Sequence, residues 1–333
     1  MIYLILYDIF IVYLGKFIIY NFMEKSFFAQ PLPEKAEQKE VLVTPSIRLE
    51  FFRHSKQGPQ TEGMQEYQRR LTEDGRAMAT EAGKTREPNP EMGLVYGSPR
   101  ERSQETAYRQ ILANQEEVKS DSSLEDIEEL IKNELPVGQK KIIDERLNFN
   151  WDGSQKFNEV SMKHFTETKD TLKFLVEESD DLVVEAKDKV SSSYSRCAAN
   201  TAEIIQKYLK ILPNWEKAVQ LDNNREEQDK KDYAKNNNEL QRFLGSHGAT
   251  VENFILKLID KTEGREAVLK FIENLPDKNN FQFNDGYSVC LHNENNNPKI
   301  EVTYHDLAWS IEPKLLDEFI NDSKDLTNKI EKS

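Results

Sequence analysis

Short apolar runs alternate along this chain with longer stretches in which apolar residues recur at helical spacing. The runs at 48–53, 93–96 and 240–245 are flanked by loop residues, and each predicts a buried strand of an α/β sheet. Two further short strands, at 287–291 and 300–304, predict an antiparallel hairpin with a longer loop, HNENNNPK. Amphipathic periodicity predicts helices at about 74–84, 100–112, 123–135, 155–178 and 195–211, and another that follows Gly248 and contains Val251, Phe254, Ile255 and Leu258.

Each of the three buried strands ends in residues that can bind an anion. The first runs into Arg53 and His54, the second into a Ser-Pro turn followed by Arg102, and the third into His247. Ligands of open α/β sheets bind outside the carboxyl ends of the strands, where helix amino termini also expose N–H donors. Taken singly, each residue fits an ordinary polar strand end. Together they predict a positive pocket that fits one phosphoryl group.

Such a pocket can transfer a phosphoryl group without a metal. One neutral histidine can attack phosphorus while the other stabilises the equatorial charge, and the arginines can bind the same oxygens. The leaving alkoxide needs a proton, and Glu145 is the candidate donor because its segment could fold over the strand ends. Since that segment is acidic throughout, an ordinary solvated role fits Glu145 equally well.

Four short motifs occur in a defined order between residues 47 and 310. They are Phe52-Arg53-His54-Ser55, Leu71-Thr72 through Gly75 to Gly83, Gly97-Ser98-Pro99 through Arg102 to Thr106, and Ser246-His247-Gly248. In this order they resemble the motifs of the histidine phosphatase superfamily, which has the phosphoglycerate-mutase-like fold. By that resemblance His54 is the phosphorylated nucleophile, and Arg53, Arg102 and His247 bind the phosphoryl group.

The resemblance also bears on the proton donor. Ile143-Asp144-Glu145 is similar to the segment that carries the donor in the mutase-like branch of the family, which implies Glu145. The His-Asp pair of the acid branch is absent after His247. Asp144 and Glu105 are the alternative donors.

Two departures from the family pattern stand in the loop after His54. Ser55 replaces the usual glycine and adds a Cβ close to the nucleophile. The sequence SKQGPQTEG at 55–63 replaces the Glu-Ser and Trp-Asn pairs that orient phosphoglycerate in the family's mutases. This argues against a phosphoglycerate mutase and for a phosphatase of other specificity.

Charge and cysteine content exclude several classes of protein. Of the 333 residues, 31% are charged and 37% are hydrophobic, and the formal net charge is −14. This acidic balance argues against nucleic acid or anionic lipid as a partner of the whole surface, although a few arginines in one cleft can still attract an anionic substrate. The two cysteines, Cys197 and Cys290, form no CxxC motif, so neither a disulfide framework nor a structural zinc is expected.

Residues 1–22 form an apolar segment of their own. As a helix they would span roughly 33 Å, about a bilayer core, but Asp8 and Lys16 interrupt the apolar run. A cleaved signal peptide fits poorly, because the segment lacks a basic start and a small-residue cleavage site. It is therefore either a marginal anchor or a spurious start, with translation beginning at Met23; the second is preferred. Residues 23–45 predict a linker.

These observations predict a three-layer α/β/α sandwich with a mixed, mostly parallel sheet at 46–312 and a carboxyl-terminal helix at 313–333. A helical insertion at about 112–185 is expected to cover the site. The expected function is cytoplasmic hydrolysis of a phosphomonoester through a phosphohistidine on His54, without cofactor or metal. The expected partner is a small phosphorylated substrate or a phosphoprotein, not nucleic acid, and a membrane only if 1–22 is an anchor. The alternatives are a phosphoryl-transfer mutase on a small metabolite and a catalytically inactive phosphate- or phosphoprotein-binding module.

Overall fold

The computed structural model describes residues 44–91, 93–133, 141–224, 238–277, 279–295 and 297–333. The predictions for the apolar segment at 1–22 and for nearly all of the linker lie outside the described residues. No helix in the described part of the chain is long and apolar enough to cross a membrane.

Seven strands in the described residues form one mixed sheet. The strands are β1 (Ser46–Arg53), β2 (Gly93–Gly97), β3 (Ile142–Ile143), β4 (Glu239–Ser246), β5 (Gly286–Glu294), β6 (Asn297–Tyr304) and β7 (Leu307–Ile311). Their spatial order is β3-β2-β4-β1-β5-β6-β7. The first four strands in this order are parallel to one another, and β5, β6 and β7 extend the sheet through antiparallel pairs. The predicted mixed sheet of an α/β fold is confirmed.

The described helices lie between and after these strands. They are α1 (Glu73–Lys84), α2 (Glu101–Ile111), α3 (Leu124–Asn133), α4 (Gln155–Lys163), α5 (Thr171–Glu177), α6 (Ser179–Glu185), α7 (Tyr194–Asn223), α8 (Thr250–Glu263), α9 (Arg265–Asn274) and α10 (Pro313–Lys332). Thr72 caps α1 as predicted, because its Oγ1 accepts a hydrogen bond from Gly75 N at 3.0 Å.

The strand β1 is buried on both of its faces. Phe51 and Phe52 are adjacent and so point to opposite faces of the sheet, and each is at most 1% exposed. Phe51 belongs to a core that it shares with α7, α8 and α10, whereas Phe52 belongs to a second core shared with α2 and α3. Helices therefore cover both faces of the sheet, and the expected three-layer arrangement is confirmed.

The parallel half of the sheet brings several strand ends to one edge. β1 and β2 both pair with β4, so that Arg53 lies opposite Ser246 and Gly97 lies opposite Gly245. β3 pairs with the end of β2, and Asp144 N donates a hydrogen bond to Gly97 O at 3.0 Å. The residues that follow these strands therefore emerge along the same edge; they include His54, Ser98, Glu145 and His247.

The segment between α2 and α7 contains α3, β3 and α4 to α6. It is not purely helical, because β3 is an edge strand of the main sheet. Ser246 Oγ at the end of β4 donates a hydrogen bond to Leu147 O at 2.7 Å. This bond links the turn after β3 to β4, the strand that precedes His247. That this segment acts as a lid stays a prediction.

Two helices differ from their predicted extents. The helix expected at 155–178 is divided into α4 and α5, with a π-helical turn and a left-handed Lys169 (φ 53°) between them. α7 continues past the expected end at 211 and through Pro213. Burial of Leu212, Trp215 and Val219 offsets the cost of an interior proline, which is about 3 kcal/mol.

The β5–β6 hairpin is tighter than predicted. Its ladder continues to the pair Glu294 and Asn297, so most of the segment expected to be a loop is strand. The strand β7 and the helix α9 were not predicted from the sequence. Both elements are short and have few buried residues, so their sequences show no clear hydrophobic periodicity.

Candidate active site

His54 is held by one hydrogen bond on each ring nitrogen. Nδ1 lies 2.7 Å from the backbone oxygen of Ser55, and Nε2 lies 3.2 Å from Nε of Arg102. A carbonyl oxygen can only accept and a guanidinium can only donate, so Nδ1 carries the proton and Nε2 carries the lone pair. The nitrogen beside the arginine is therefore the unprotonated one.

The surroundings also keep His54 uncharged. Burial, first, and then the positive charge of Arg102 hold the pKa of His54 well below its ordinary value. The ring is only 5% exposed, so water cannot stabilise an imidazolium there. At neutral pH His54 is neutral, and Nε2 keeps the unprotonated lone pair that nucleophilic attack requires, while accepting the hydrogen bond from Arg102.

His247 faces His54 across the site. The two ring centroids are 5.2 Å apart and the ring planes make an angle of 62°. His247 Nε2 lies 2.6 Å from Ser98 Oγ, which in turn lies 2.8 Å from Ser103 Oγ. Burial and the neighbouring His54 hold the pKa of His247 well below its ordinary value. The pair therefore presents two neutral imidazoles to the same space.

Two arginines predicted for the site lie beside these rings. Arg102 is 4% exposed, and burial lowers its pKa to about 10, which leaves it a cation at neutral pH. Arg53 packs over the ring of Phe283 at 4.7 Å and donates from Nη1 to Phe281 O. Its Nε is buried without a hydrogen-bond partner among the described residues, so one donor remains for a ligand.

Glu66 is a site residue that the sequence prediction missed. Its carboxylate pairs with Arg102 Nη2 at 2.8 Å, Arg100 Nη1 at 3.1 Å and Arg69 Nη1 at 3.1 Å. Partial burial disfavours the charged form, but the positive charge of Arg102, with Arg69 and Arg100, lowers the pKa of Glu66. An anion that binds Arg102 must compete with this carboxylate.

Glu66 had no motif to reveal it, whereas Arg100 lies within the third motif and is the sequence-based alternative to Arg102. Arg100 donates from Nε to Asn148 Oδ1 at 3.2 Å and from Nη2 to Phe149 O at 2.6 Å. The nearest sequence signal was the excess of arginines around 69–70 and 100–102, which indicates an anion site without naming its occupant.

Glu145 lies at the rim of the site. It begins the short turn that follows β3, is exposed, and accepts a hydrogen bond from Asn148 Nδ2 at 3.3 Å. Since Asn148 also contacts Arg100, Glu145 is linked to the arginine cluster through one side chain and makes no direct contact with His54. The structure thus brings His54, His247, Arg53 and Arg102 together and leaves Glu145 at the edge.

The alternative proton donors are both engaged elsewhere. Asp144 accepts from Arg146 at Oδ1 (2.9 Å) and Oδ2 (2.7 Å), and although burial opposes the charged form, this arginine lowers its pKa. Glu105 is fully buried and pairs with Arg76 at 2.8 Å and Arg109 at 3.4 Å. Neither carboxyl is free to donate a proton into the site.

Ser55, the departure from the family motif, is accommodated by hydrogen bonds. Its N–H donates to Thr106 Oγ1 at 3.0 Å, its Oγ donates to Gly75 O at 2.6 Å, and Asn284 Nδ2 donates to the same Oγ at 3.0 Å. Gly75 is required at this contact, because a Cβ there would lie 2.1 Å from Lys56 O. The serine therefore secures the loop that carries His54.

Charge at this site comes from arginines. Within the described ranges, no group of three side chains suited to bind a metal converges at His54. The donor set suits a phosphoryl group, whose oxygens accept hydrogen bonds from guanidinium and imidazole groups.

No family model and no curated protein matches this chain. Solved structures do match. A mycobacterial hydrolase is 13% identical with a TM-score of 0.43, and the match covers 84% of this chain and 98% of that one. A phosphoglycerate mutase from Bacillus anthracis is 15% identical with a TM-score of 0.40, and the match covers 84% of this chain and 98% of that one. A mycobacterial glucosyl-3-phosphoglycerate phosphatase is 14% identical with a TM-score of 0.39, and the match covers 74% of this chain and 90% of that one. The chain is thus similar to solved phosphatases and a mutase, alongside the resemblance that its four motifs carry to the histidine phosphatase superfamily.

Proposed function

We propose that this protein is a metal-independent phosphomonoester hydrolase that acts through a phosphohistidine on His54. The observation that carries this proposal is the state of the His54 ring, with a proton on Nδ1 and a lone pair on Nε2 beside Arg102. The ring is neutral and is oriented by both hydrogen bonds, which is the protonation state that attack by Nε2 requires.

In the first step, His54 Nε2 attacks phosphorus as the ester P–O bond breaks. The phosphoryl oxygens are bound by Arg53, Arg102 and His247, which stabilise the charge of the transition state. Glu145 donates a proton to the leaving alkoxide. In the second step, water attacks the phosphohistidine, Glu145 accepts a proton from that water, and inorganic phosphate leaves with His54 restored.

The direct test is phosphate release by the full chain from a panel of phosphomonoesters in EDTA, with folding verified by circular dichroism. We expect release to survive chelation, because arginines and histidines supply the positive charge. Release that requires an added divalent ion would contradict metal independence. A folded protein that releases no phosphate from any compound would contradict the hydrolase, and turnover only with a bisphosphate primer would favour the mutase.

Replacing Glu145 with glutamine should slow the first step most for poor leaving groups. We expect phosphoenzyme formation from an alkyl phosphate to fall by roughly a hundredfold or more, the usual range for losing a general acid. p-Nitrophenyl phosphate, whose phenolate leaves without protonation, should lose much less. Rapid-quench measurement of phosphoenzyme on the two substrates gives the comparison.

The matched control is Glu203→Gln, which removes an exposed carboxylate that pairs with Arg146 of the same turn at 3.7 Å. It should leave both rates unchanged. Equal losses on the two substrates in Glu145→Gln would show that Glu145 is not the proton donor.

Replacing Glu66 with glutamine should strengthen the binding of inorganic phosphate. The change removes the negative charge that competes for Arg102 while keeping the shape of the side chain. Partly exposed ion pairs are worth about 0.2–1 kcal/mol, so we expect the inhibition constant for phosphate to fall by up to about fivefold.

Glu62→Gln serves as the control for this prediction, because Glu62 is an exposed carboxylate of the same loop. Inhibition by phosphate is measured for both variants against the unmodified chain. An unchanged inhibition constant in Glu66→Gln would mean that the carboxylate does not occupy the anion site in solution.

A further inference from the structure

Three different metal-binding side chains meet on one face of the β5–β6 hairpin. Cys290 and His292 are two residues apart on β5, so they project from the same face, while Val289 and Leu291 enter the core. Glu301 lies directly opposite Cys290 in the antiparallel ladder. As a result, one ligand atom from each side chain lies within 4.8 Å of the other two.

These three donors have no other structural task. Cys290 is a free thiol, and among the described residues none of the three side chains takes part in a hydrogen bond or an ion pair. Other polar groups on this side of the sheet are engaged: Arg48, which lies opposite Cys290 on β1, pairs with Glu239 at 2.9 Å and with Glu50 at 3.3 Å. A metal ion requires several ligand atoms that lie close together and have no other partners, as these three do.

The cluster is surrounded by charges of both signs. Arg48 and Lys299 lie opposite Cys290 and His292 in the ladders, and Arg48 is paired with Glu239 at 2.9 Å. Cys290 and His292 are half-buried and Glu301 is exposed, so an ion can enter from solvent.

The spacing is close to that of a bound zinc ion. A point equidistant from three atoms 4.8 Å apart lies about 2.8 Å from each, whereas zinc binds sulfur at about 2.3 Å and nitrogen at about 2.0–2.1 Å. The ligands must approach by about 0.5 Å for sulfur and about 0.7–0.8 Å for nitrogen, which side-chain rotation can supply. Thiolate, imidazole and carboxylate together suit zinc better than magnesium or calcium.

In contrast to the expectation from the cysteine content, we propose that Cys290, His292 and Glu301 form a zinc-type site that joins β5 to β6, with water as the fourth ligand. The thiol loses its proton as the metal–sulfur bond forms. Arg48, opposite Cys290, precedes His54 by six residues of extended chain, which places the site about 20 Å from His54. The ion therefore stabilises the hairpin and takes no part in phosphoryl transfer.

The test is titration of the chelator-treated full chain with Zn²⁺ and with Co²⁺. We expect one equivalent to bind, and the cobalt form to show a thiolate-to-cobalt charge-transfer band. Cys290→Ser should abolish this band, and His292→Ala should weaken zinc binding by at least tenfold. Zinc should raise the melting temperature of the unmodified chain and not that of Cys290→Ser.

Glu294→Gln is the matched control, because it removes an exposed carboxylate from the same hairpin and leaves the three ligands intact. It should bind both ions as the unmodified chain does. A folded chain that binds no stoichiometric zinc would overturn the proposal, and so would a charge-transfer band that persists in Cys290→Ser.

Discussion

Replacing His54 with glutamine is expected to reduce phosphate release by at least about a thousandfold, because removing a covalent nucleophile leaves only binding and electrostatic stabilisation. Glutamine keeps a polar side chain that can still accept from Arg102 and donate to Ser55 O. The variant therefore separates loss of the nucleophile from collapse of the pocket. Phosphate release in EDTA measures the overall loss.

A second measurement identifies the intermediate itself. Brief incubation of the unmodified chain with a ³²P-labelled substrate should leave label in an acid-labile, base-stable linkage, as expected for a phosphohistidine. His54→Gln should incorporate none, and the control His305→Gln, which changes an exposed histidine outside the pocket, should label normally. Label on a folded His54→Gln protein would place the nucleophile elsewhere.

Replacing Arg102 with alanine is expected to have two effects of different origin. The value of kcat/KM should fall by about a hundred- to a thousandfold, because a buried donor to the transition state is lost. The acid limb of the pH profile should also move to higher pH. After burial, Arg102 is the largest influence that lowers the pKa of His54, so without its charge the imidazole protonates at a higher pH.

Arg102→Lys distinguishes these effects. Lysine keeps the positive charge but cannot reproduce the bidentate geometry or the hydrogen bond from Nε to His54. We expect it to retain the acid limb near that of the unmodified chain while still losing kcat/KM. If the acid limb of Arg102→Ala stays in place, the charge of Arg102 does not control the protonation of His54.

The amino-acid sequence alone determined the frame of the site. Apolar residues on both faces of β1, the loop residues that end each strand and the cap at Thr72 are local signals, each contained within about ten residues. Their order along the chain indicated which strand ends carry Arg53, His54, Arg102 and His247. Parallel pairing then brings those ends to one edge, so the central residues could be predicted without coordinates.

Only the tertiary structure determined which other residues join the site and where the remaining elements lie. Glu66 reaches Arg100 and Arg102 because the loop after His54 folds back across α2. The hydrophobic periodicity of the sequence does not predict the path of a loop. The continuation of α7 through Pro213 depends on packing that local propensity cannot anticipate. Cys290 and His292 share a face by their spacing, but Glu301 joins them only through the register of β5 with β6. Contacts between residues that are distant in sequence depend on the register and packing of the whole chain. The patterns that predict strands and helices depend only on neighbouring residues.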